Sequence, residues 1–217
     1  MIDRRPAVVM FDLDGTLVDT MEALAALAAE LLHFHHGIPM DQATELYRET
    51  SGIPFRNQLE LILPGAAGLD QTSGKFEHRK AIIADSSYLS EARIDALQTL
   101  RRLGFGITVS SSSAQHFVDA FHSRVGFDFD LALGYAPGQT KGLRHFAKTC
   151  RALNTTQNEL LFVGDSLMDA KLAAGAGVSF IGRLGTFTHD RFSAEHPGVE
   201  LIQDVVELPR RLQPLLR

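Results

Sequence analysis

Two aspartates one residue apart, Asp12 and Asp14, stand just after an apolar run, Ala7–Met10 (AVVM). The run is short and rich in β-branched residues, which suits a buried strand. In an extended chain Leu13 faces one way and both aspartates the other. Gly15 then permits a sharp turn that brings backbone amides close to whatever sits there. Two carboxylates held so close repel unless they share a cation or a proton, so the pair predicts a divalent-metal site. A solvated surface turn is the plainer alternative, and partner residues downstream separate the two.

Such partners occur at regular places. Asp165 ends the apolar segment LLFVGD (Leu160–Asp165), where Gly164 allows a neighbouring strand to approach closely. Mg2+ takes oxygen ligands in an octahedron with retained waters, and Asp12, Asp165 and the main-chain carbonyl of Asp14 supply three. Lys141 lies between Gly138 and Gly142 at the start of a helix expected over Thr140–Leu153, whose buried face is expected to hold Leu143, Phe146, Ala147 and Cys150. A cation there offsets carboxylate charge and binds phosphate; an ordinary solvated lysine is the alternative. Four serines, Ser110–Ser113, end another strand. Parity with Ile107 and Val109 selects Ser111 to enter the site, with Ser110 as its rival and Ser113 as a cap of the following helix. Asp169 closes Ser166-Leu167-Met168-Asp169, a helix-capping pattern in its own right.

The elements that position these groups alternate. After Ser90, the helix EARIDALQTLRRL ends at Gly104 and a strand follows over Phe105–Val109. A helix ending at Gly126, a strand near Leu131–Leu133, the helix carrying Lys141, the strand LLFVGD, a helix to Ala174 and the strand VSFI complete the series. Alternation of this kind predicts an α/β fold, a Rossmann-like parallel sheet with helices on both faces, whose ligands gather at the carboxyl ends of its strands. The Ala7 strand belongs to that sheet. Residues 20–90 differ: helices are expected from Thr20 to about His36, from Asp41 to about Thr50, through Leu59–Leu63, and from Gly74 to Leu89, with no strand. The reading is a core of residues 1–16 and 90–217 with an inserted all-helical cap over 17–89, hinged near Gly15–Asp19 and Leu89–Ser90. In the cap, Phe55, Arg56 and Asn57 follow a Gly52–Pro54 turn and are the candidates for substrate selection; Arg56 either holds a substrate carboxylate or is surface charge. His33, His35 and His36 fall in the last turn of the first cap helix, where a helix C-terminus favours positive charge; a transition-metal site is the sharper alternative.

With 217 residues, 45% of them apolar, and a formal net charge of −5, the chain has the composition of a water-soluble globular protein and no basic footprint for nucleic acid. Its one cysteine, Cys150, excludes an intrachain disulfide and suits a reducing compartment. The N-terminus lacks a signal-peptide pattern and no apolar stretch reaches membrane-span length, so a cytoplasmic location without membrane partners is expected.

The segment Asp12-Leu13-Asp14-Gly15-Thr16-Leu17 resembles the opening motif of the haloacid dehalogenase-like (HAD) hydrolase superfamily, DxDGT followed by an apolar residue. Ser111 resembles its second motif, Lys141 the core lysine of its third, and Gly164-Asp165-Ser166-Leu167-Met168-Asp169 its fourth, GDxxxD. The resemblance implies an aspartyl-phosphate on Asp12, with Asp14 as general acid and base and Mg2+ alongside. It also implies phosphate contacts from Ser111 and Lys141, an outer-shell role for Asp169, and a cap of the helical type. The implied activity is hydrolysis of the phosphate monoester of a small metabolite, of the phosphoglycolate-phosphatase-like kind. Asp14 departs from the haloacid dehalogenases, which lack that acid, and from phosphonoacetaldehyde hydrolases, which carry Ala there. A phosphosugar mutase like β-phosphoglucomutase would carry His where Leu24 stands and Glu where Gly164 stands. A non-catalytic binding protein on this fold would have lost a motif acid.

Overall fold

The computed structural model describes residues 5–216; the expectations for residues 1–4 and for residue 217 lie outside it. Among the described residues six strands, β1 (Val8–Phe11), β2 (Gly106–Ala114), β3 (Leu131–Tyr135), β4 (Leu160–Gly164), β5 (Ser179–Arg183) and β6 (Glu200–Ile202), form one sheet in the order β3-β2-β1-β4-β5-β6. Every neighbouring pair is parallel. All four β1 side chains are buried, as a central strand covered on both faces requires. Phe11 pairs with Val109 of β2 and Val163 of β4, so Asp12 leaves the sheet level with Ser110 and Gly164.

Among the described residues ten α-helices accompany the strands: α1 (Met21–His36), α2 (Met40–Glu49), α3 (Phe55–Ile62), α4 (Leu69–Ser86), α5 (Glu91–Arg102), α6 (Gln115–Arg124), α7 (Leu143–Ala152), α8 (Leu167–Ala176), α9 (His189–Glu195) and α10 (Leu208–Leu212). The alternation of β1 divides the core. Val9 and Phe11 pack with Leu97 and Leu100 of α5, Val118 and Phe121 of α6, and Leu208 and Leu212 of α10. Val8 and Met10 face the other way, with Phe146 of α7 and Ala173 of α8. The sheet is thus sandwiched, and its polar strand ends collect along one edge.

Helices α1–α4 enclose an apolar cluster of their own, built on Leu24, Leu27, Ala28, Leu31 and Leu32 of α1, Tyr47, Phe55, Leu59 and Phe76. The Phe55 and Phe76 rings stack with centroids 4.0 Å apart. Leu17, Val18 and Leu89 pack instead with the sheet side chains.

Several local expectations need correction. Helix α4 starts at Leu69, not Gly74, because Gly68 takes a left-handed φ of +81° and turns the chain into the helix there. It ends at Ser86, before Leu89. Strand β2 runs on through the serines, reaching Ala114 opposite Tyr135 of β3, so Ala114 and not Ser113 is the N-cap of α6. Thr20 holds the N-cap position of α1 without capping it by its side chain. In α7 Leu143 is exposed, and the buried side chains include His145, Phe146 and Thr149. Elements α9, β6 and α10 had no counterpart among the expected elements. Among the described residues no helix is long and apolar enough to cross a membrane.

Candidate active site

Asp12 is 5% exposed. Its backbone amide donates to Val163 O at 2.8 Å, which continues the β1–β4 ladder to this residue. Its Oδ1 accepts from the Leu13 amide at 2.7 Å, and Lys141 Nζ lies 2.9 Å from its Oδ2. The same Nζ lies 2.6 Å from Asp169 Oδ1, so one buried ammonium bridges two carboxylates as ion pairs. Asp169 also completes a capping box: its amide donates to Ser166 Oγ at 3.0 Å, and the Ser166 amide to its Oδ2 at 3.3 Å. The capping and site readings of Asp169 describe one arrangement. Asp165 Oδ1 accepts from Thr16 Oγ1 at 3.3 Å, and its Oδ2 accepts from Thr186.

Asp12, Asp165 and Asp169 place carboxylate oxygens within 4.8 Å of one another. Burial pushes the Asp12 carboxyl well up against the pull of Lys141, with Asp169 and Asp165 adding to the rise. Burial, then Asp169, brings Asp165 to about 6. Lys141 is depressed by burial, but Asp12 and Asp169 more than reverse this and hold it above its ordinary value. With all three carboxyls ionised, the group and its one ammonium carry two net negative charges in a buried site. A divalent cation with a preference for oxygen ligands fits that donor set and that charge.

Asp14 is organised separately. Its Oδ1 accepts from Thr20 Oγ1 at 2.7 Å; its Oδ2 accepts from Ser113 Oγ at 2.7 Å and from Lys80 Nζ at 2.9 Å. Lys80 Nζ also donates to Ser113 Oγ at 2.7 Å. Burial alone would raise the Asp14 carboxyl, but Lys80, Ser113 and Thr20 together hold it below the ordinary range. The Asp14 side chain therefore lies outside the acidic cluster.

Glycine is needed where the chain passes these groups. Gly15 has φ of +80°, and a Cβ there would lie 2.1 Å from Asp165 Oδ2. A Cβ on Gly164 would lie 2.6 Å from Asp169 Oδ2. The turn from Gly15 to Asp19 is gripped from outside: Arg183 donates to Gly15 O and to Asp19, at 2.7 Å for the latter, and Arg93 donates to Leu17 O at 3.0 Å. Arg93 also pairs with Asp19 at 2.9 Å and with Asp204 at 2.6 Å.

A cavity of about 30 Å³ lies above Asp12, Asp14, Ser112 and Asp165, with Met21, Leu24, Ile53, Phe55 and Phe76 as apolar walls and Tyr47, Ser51, Gln58, Glu77 and Lys80 as polar ones. Burial raises the Glu77 carboxyl, against the pull of Lys80. Room for about one or two waters remains between α1–α4 and the strand ends.

Of the expected residues, Asp12, Asp165, Asp169 and Lys141 converge, and Asp14 lines the same cavity as Asp12 and Asp165 on partners of its own. Ser111 is buried at the same strand end and accepts from the Ser113 amide at 3.1 Å, while its rival Ser110 is turned to His145 Nδ1 at 2.9 Å. The cavity wall from this strand is Ser112. Arg56 takes the surface-charge alternative: it pairs with Asp70 and Glu60, while the inward face of α3 is Phe55, Gln58 and Leu59. Asn57 is exposed. The three histidines go to separate partners, Ile38 O, Lys75 and Thr72, and do not converge on one point. Sequence reasoning missed Lys80, Ser113, Thr16, Thr20 and Thr186. The DxDGT pattern itself flagged Thr16, and Thr20 stands only six residues past Asp14; Lys80, Ser113 and Thr186 sit far apart along the chain and no spacing links them.

The sequence model of the family described as haloacid dehalogenase-like hydrolase matches residues 9–183. The chain belongs to the haloacid dehalogenase-like hydrolase family. It is accordingly a hydrolase. It is 27% identical over 217 residues to phosphoglycolate phosphatase 1 of Pseudomonas aeruginosa, an alignment covering 94% of this chain and 79% of that one. It is 27% identical over 226 residues to a phosphoglycolate phosphatase of Caulobacter vibrioides, covering 99% and 94%. A haloacid dehalogenase-like family hydrolase from Streptococcus pneumoniae superposes with a TM-score of 0.78 at 17% identity, covering 96% of this chain and 99% of that one, and shares the fold.

Proposed function

We propose that this hydrolase is a Mg2+-dependent phosphatase that cleaves phosphate monoesters of small metabolites through an aspartyl-phosphate on Asp12. The observation that carries the reading is the division between the two aspartates. Asp12 sits in the acidic cluster against Lys141, while Asp14, one residue from Leu13, is held apart by Thr20, Ser113 and Lys80. This division supports a reading in which one carboxylate attacks phosphorus and the other moves a proton.

In the first step an Asp12 oxygen bonds to phosphorus, the ester P–O bond breaks, and Asp14 gives its proton to the departing alcohol oxygen. In the second, Asp14 takes a proton from water as the water oxygen attacks phosphorus, freeing phosphate and restoring Asp12. Lys141 and Ser111 are assigned to the phosphoryl oxygens, and Asp169 positions Lys141. Asp12, Asp165 and the Asp14 carbonyl would hold Mg2+, which when bound adds positive charge beside the transferring phosphoryl group. Residues 17–89 serve as a cap that excludes water, with the apolar cluster of α1–α4 in support; Leu17, Val18 and Leu89 anchor its two tethers in the core. The names of its relatives make 2-phosphoglycolate a substrate to test. The mutase alternative loses support at Leu24, which is buried against the cavity and has no polar group to offer a second phosphate or a proton.

Asp12→Asn tests the reading, since the amide cannot form an acyl-phosphate. The folded variant is expected to be inactive against a phosphomonoester panel with Mg2+. Retention of a tenth or more of wild-type turnover would remove Asp12 as nucleophile.

A further inference from the structure

The polar groups around the cavity are not evenly satisfied. Lys80, the cation that α4 brings to it, is already shared between Asp14 and Ser113. Gln58 is committed to Ile53 O at 2.9 Å and to Thr50 at 3.1 Å. Two atoms of the lining are buried without a partner. Glu77 Oε2, one helical turn before Lys80, is buried without a hydrogen-bond partner, and so is Ser51 Oγ. Buried polar atoms of this kind are costly unless something pairs with them, and both line the space above Asp12 and Asp14 that a leaving group would occupy.

The unpaired carboxylate oxygen sets the polarity of the partner. A second carboxylate brought beside Glu77, with Asp14 and the acidic cluster below it, would meet repulsion and find Lys80 already paired. A hydroxyl group donates to Glu77 Oε2 without adding charge, and a hydroxyl can accept from Ser51 Oγ in return. The remaining walls, Leu24, Tyr47, Phe55 and Phe76, leave little volume, so the fragment must be short.

We infer that the leaving group is a short polyhydric alcohol, recognised by hydroxyl donation to Glu77 and contact with Ser51, and that a carboxylate-bearing leaving group is disfavoured. The inference rests on the phosphatase reading and narrows its substrate class. Glu77 is a specificity residue here: it contacts the carbon skeleton's hydroxyl and takes no part in the transfer of the phosphoryl group. A site built to hydrogen-bond a substrate hydroxyl discriminates strongly against analogues that lack it, because its own polar groups are then left unpaired.

The test compares kcat/KM for glycerol 1-phosphate, 2-phosphoglycolate and p-nitrophenyl phosphate, with Mg2+, on the full chain and on Glu77→Leu and Glu77→Gln. The wild type is expected to prefer glycerol 1-phosphate to 2-phosphoglycolate by about tenfold or more. In Glu77→Leu that ratio is expected to fall by about tenfold to a hundredfold, and Glu77→Gln, which keeps an acceptor oxygen, should recover part of it. Using a ratio within one preparation cancels any loss of folded protein. A wild-type preference for 2-phosphoglycolate, a ratio unmoved in Glu77→Leu, or turnover of p-nitrophenyl phosphate without glycerol 1-phosphate would overturn the inference and leave the phosphatase reading standing. No turnover of any of the three would overturn both.

Discussion

Lys80 reaches from helix α4 to Asp14 Oδ2 at 2.9 Å, and replacing it by Met should alter the pH dependence of hydrolysis more than its maximum. The two side chains are 10% and 19% exposed, so the pair is largely shielded from water. At that separation an effective dielectric of about 20 gives an attraction of roughly 6 kcal/mol, and the desolvation of both ends takes back a large part of it. What survives is expected to move a titration limb by about one to two pH units. With Lys80 present the Asp14 carboxyl is held low, so its ionised form, the base of the second step, persists into acid. Without it the proton is held more tightly and the acid limb of the profile moves to higher pH. p-Nitrophenyl phosphate isolates this limb, because its leaving group needs no proton. Relative to wild type, Lys80→Met should lose about tenfold to a hundredfold at the acid end, each pH unit being a factor of ten, and differ little near pH 8. Ser113 and Thr20 remain on Asp14 in the variant and keep its orientation. An acid limb that stays in place, with a uniform loss at every pH, would show that Lys80 acts through cap geometry and not through the charge of Asp14.

Asp14→Asn should separate the two proton transfers: alkyl phosphates slow at the first step, whereas p-nitrophenyl phosphate gives a burst near one equivalent of nitrophenol with phosphate trapped on Asp12, seen by stopped-flow absorbance and mass spectrometry of the quenched enzyme. A steady slow rate with no phosphoenzyme would count against Asp14 as the base. Mg2+ should raise the melting temperature more at pH 7.5 than at pH 5: the Asp165 carboxyl, raised by burial to about 6, keeps its proton in the folded state below that pH, its ionisation weakens the metal-free fold as pH climbs through 6, and a cation in the cluster removes that cost. Equal shifts at the two pH values would disconnect Asp165 from the metal. Arg56→Ala should leave kcat/KM for any monoester within about twofold, since surface ion pairs of this sort contribute little; a large rise in KM would return Arg56 to the substrate site.

What could be read from the chain followed from short-range rules. Strand ends in a parallel α/β sheet share one edge, so Asp12, Asp14, Asp165 and Lys141 could be placed together before any contact was known. Lys80 could not be placed that way. It belongs to the polar series Lys75, His78, Arg79, Lys80 of α4, which looks solvated along its length, and only the docking of α4 over β2 buries one member of it. The choice left open at Arg56 has the same origin in reverse: its neighbours Phe55 and Gln58 face the cavity, and one position on a helix is a turn of about 100°. The serine run misled because Ser caps helices well and suits strands poorly, yet pairing with β3 holds Ser110 in the ladder opposite Leu133. Short elements late in the chain, such as β6, carry too few residues for any period to show.

The grip of Arg93 and Arg183 on the Gly15–Asp19 turn ties the order of synthesis to the order of assembly. Asp12 and its turn leave the ribosome early, but Arg183 follows more than 160 residues later and Asp204, which shares the Arg93 guanidinium with Asp19, later still. Until both have emerged, Arg93 has only the partly exposed Asp19 to answer its charge, and Gly15 O lacks its donor. A nascent chain can thus pair β1 to β4 and pack α1–α4 while the turn beside Asp12 is still unfastened. The first residues of the site to be translated are among the last to be locked.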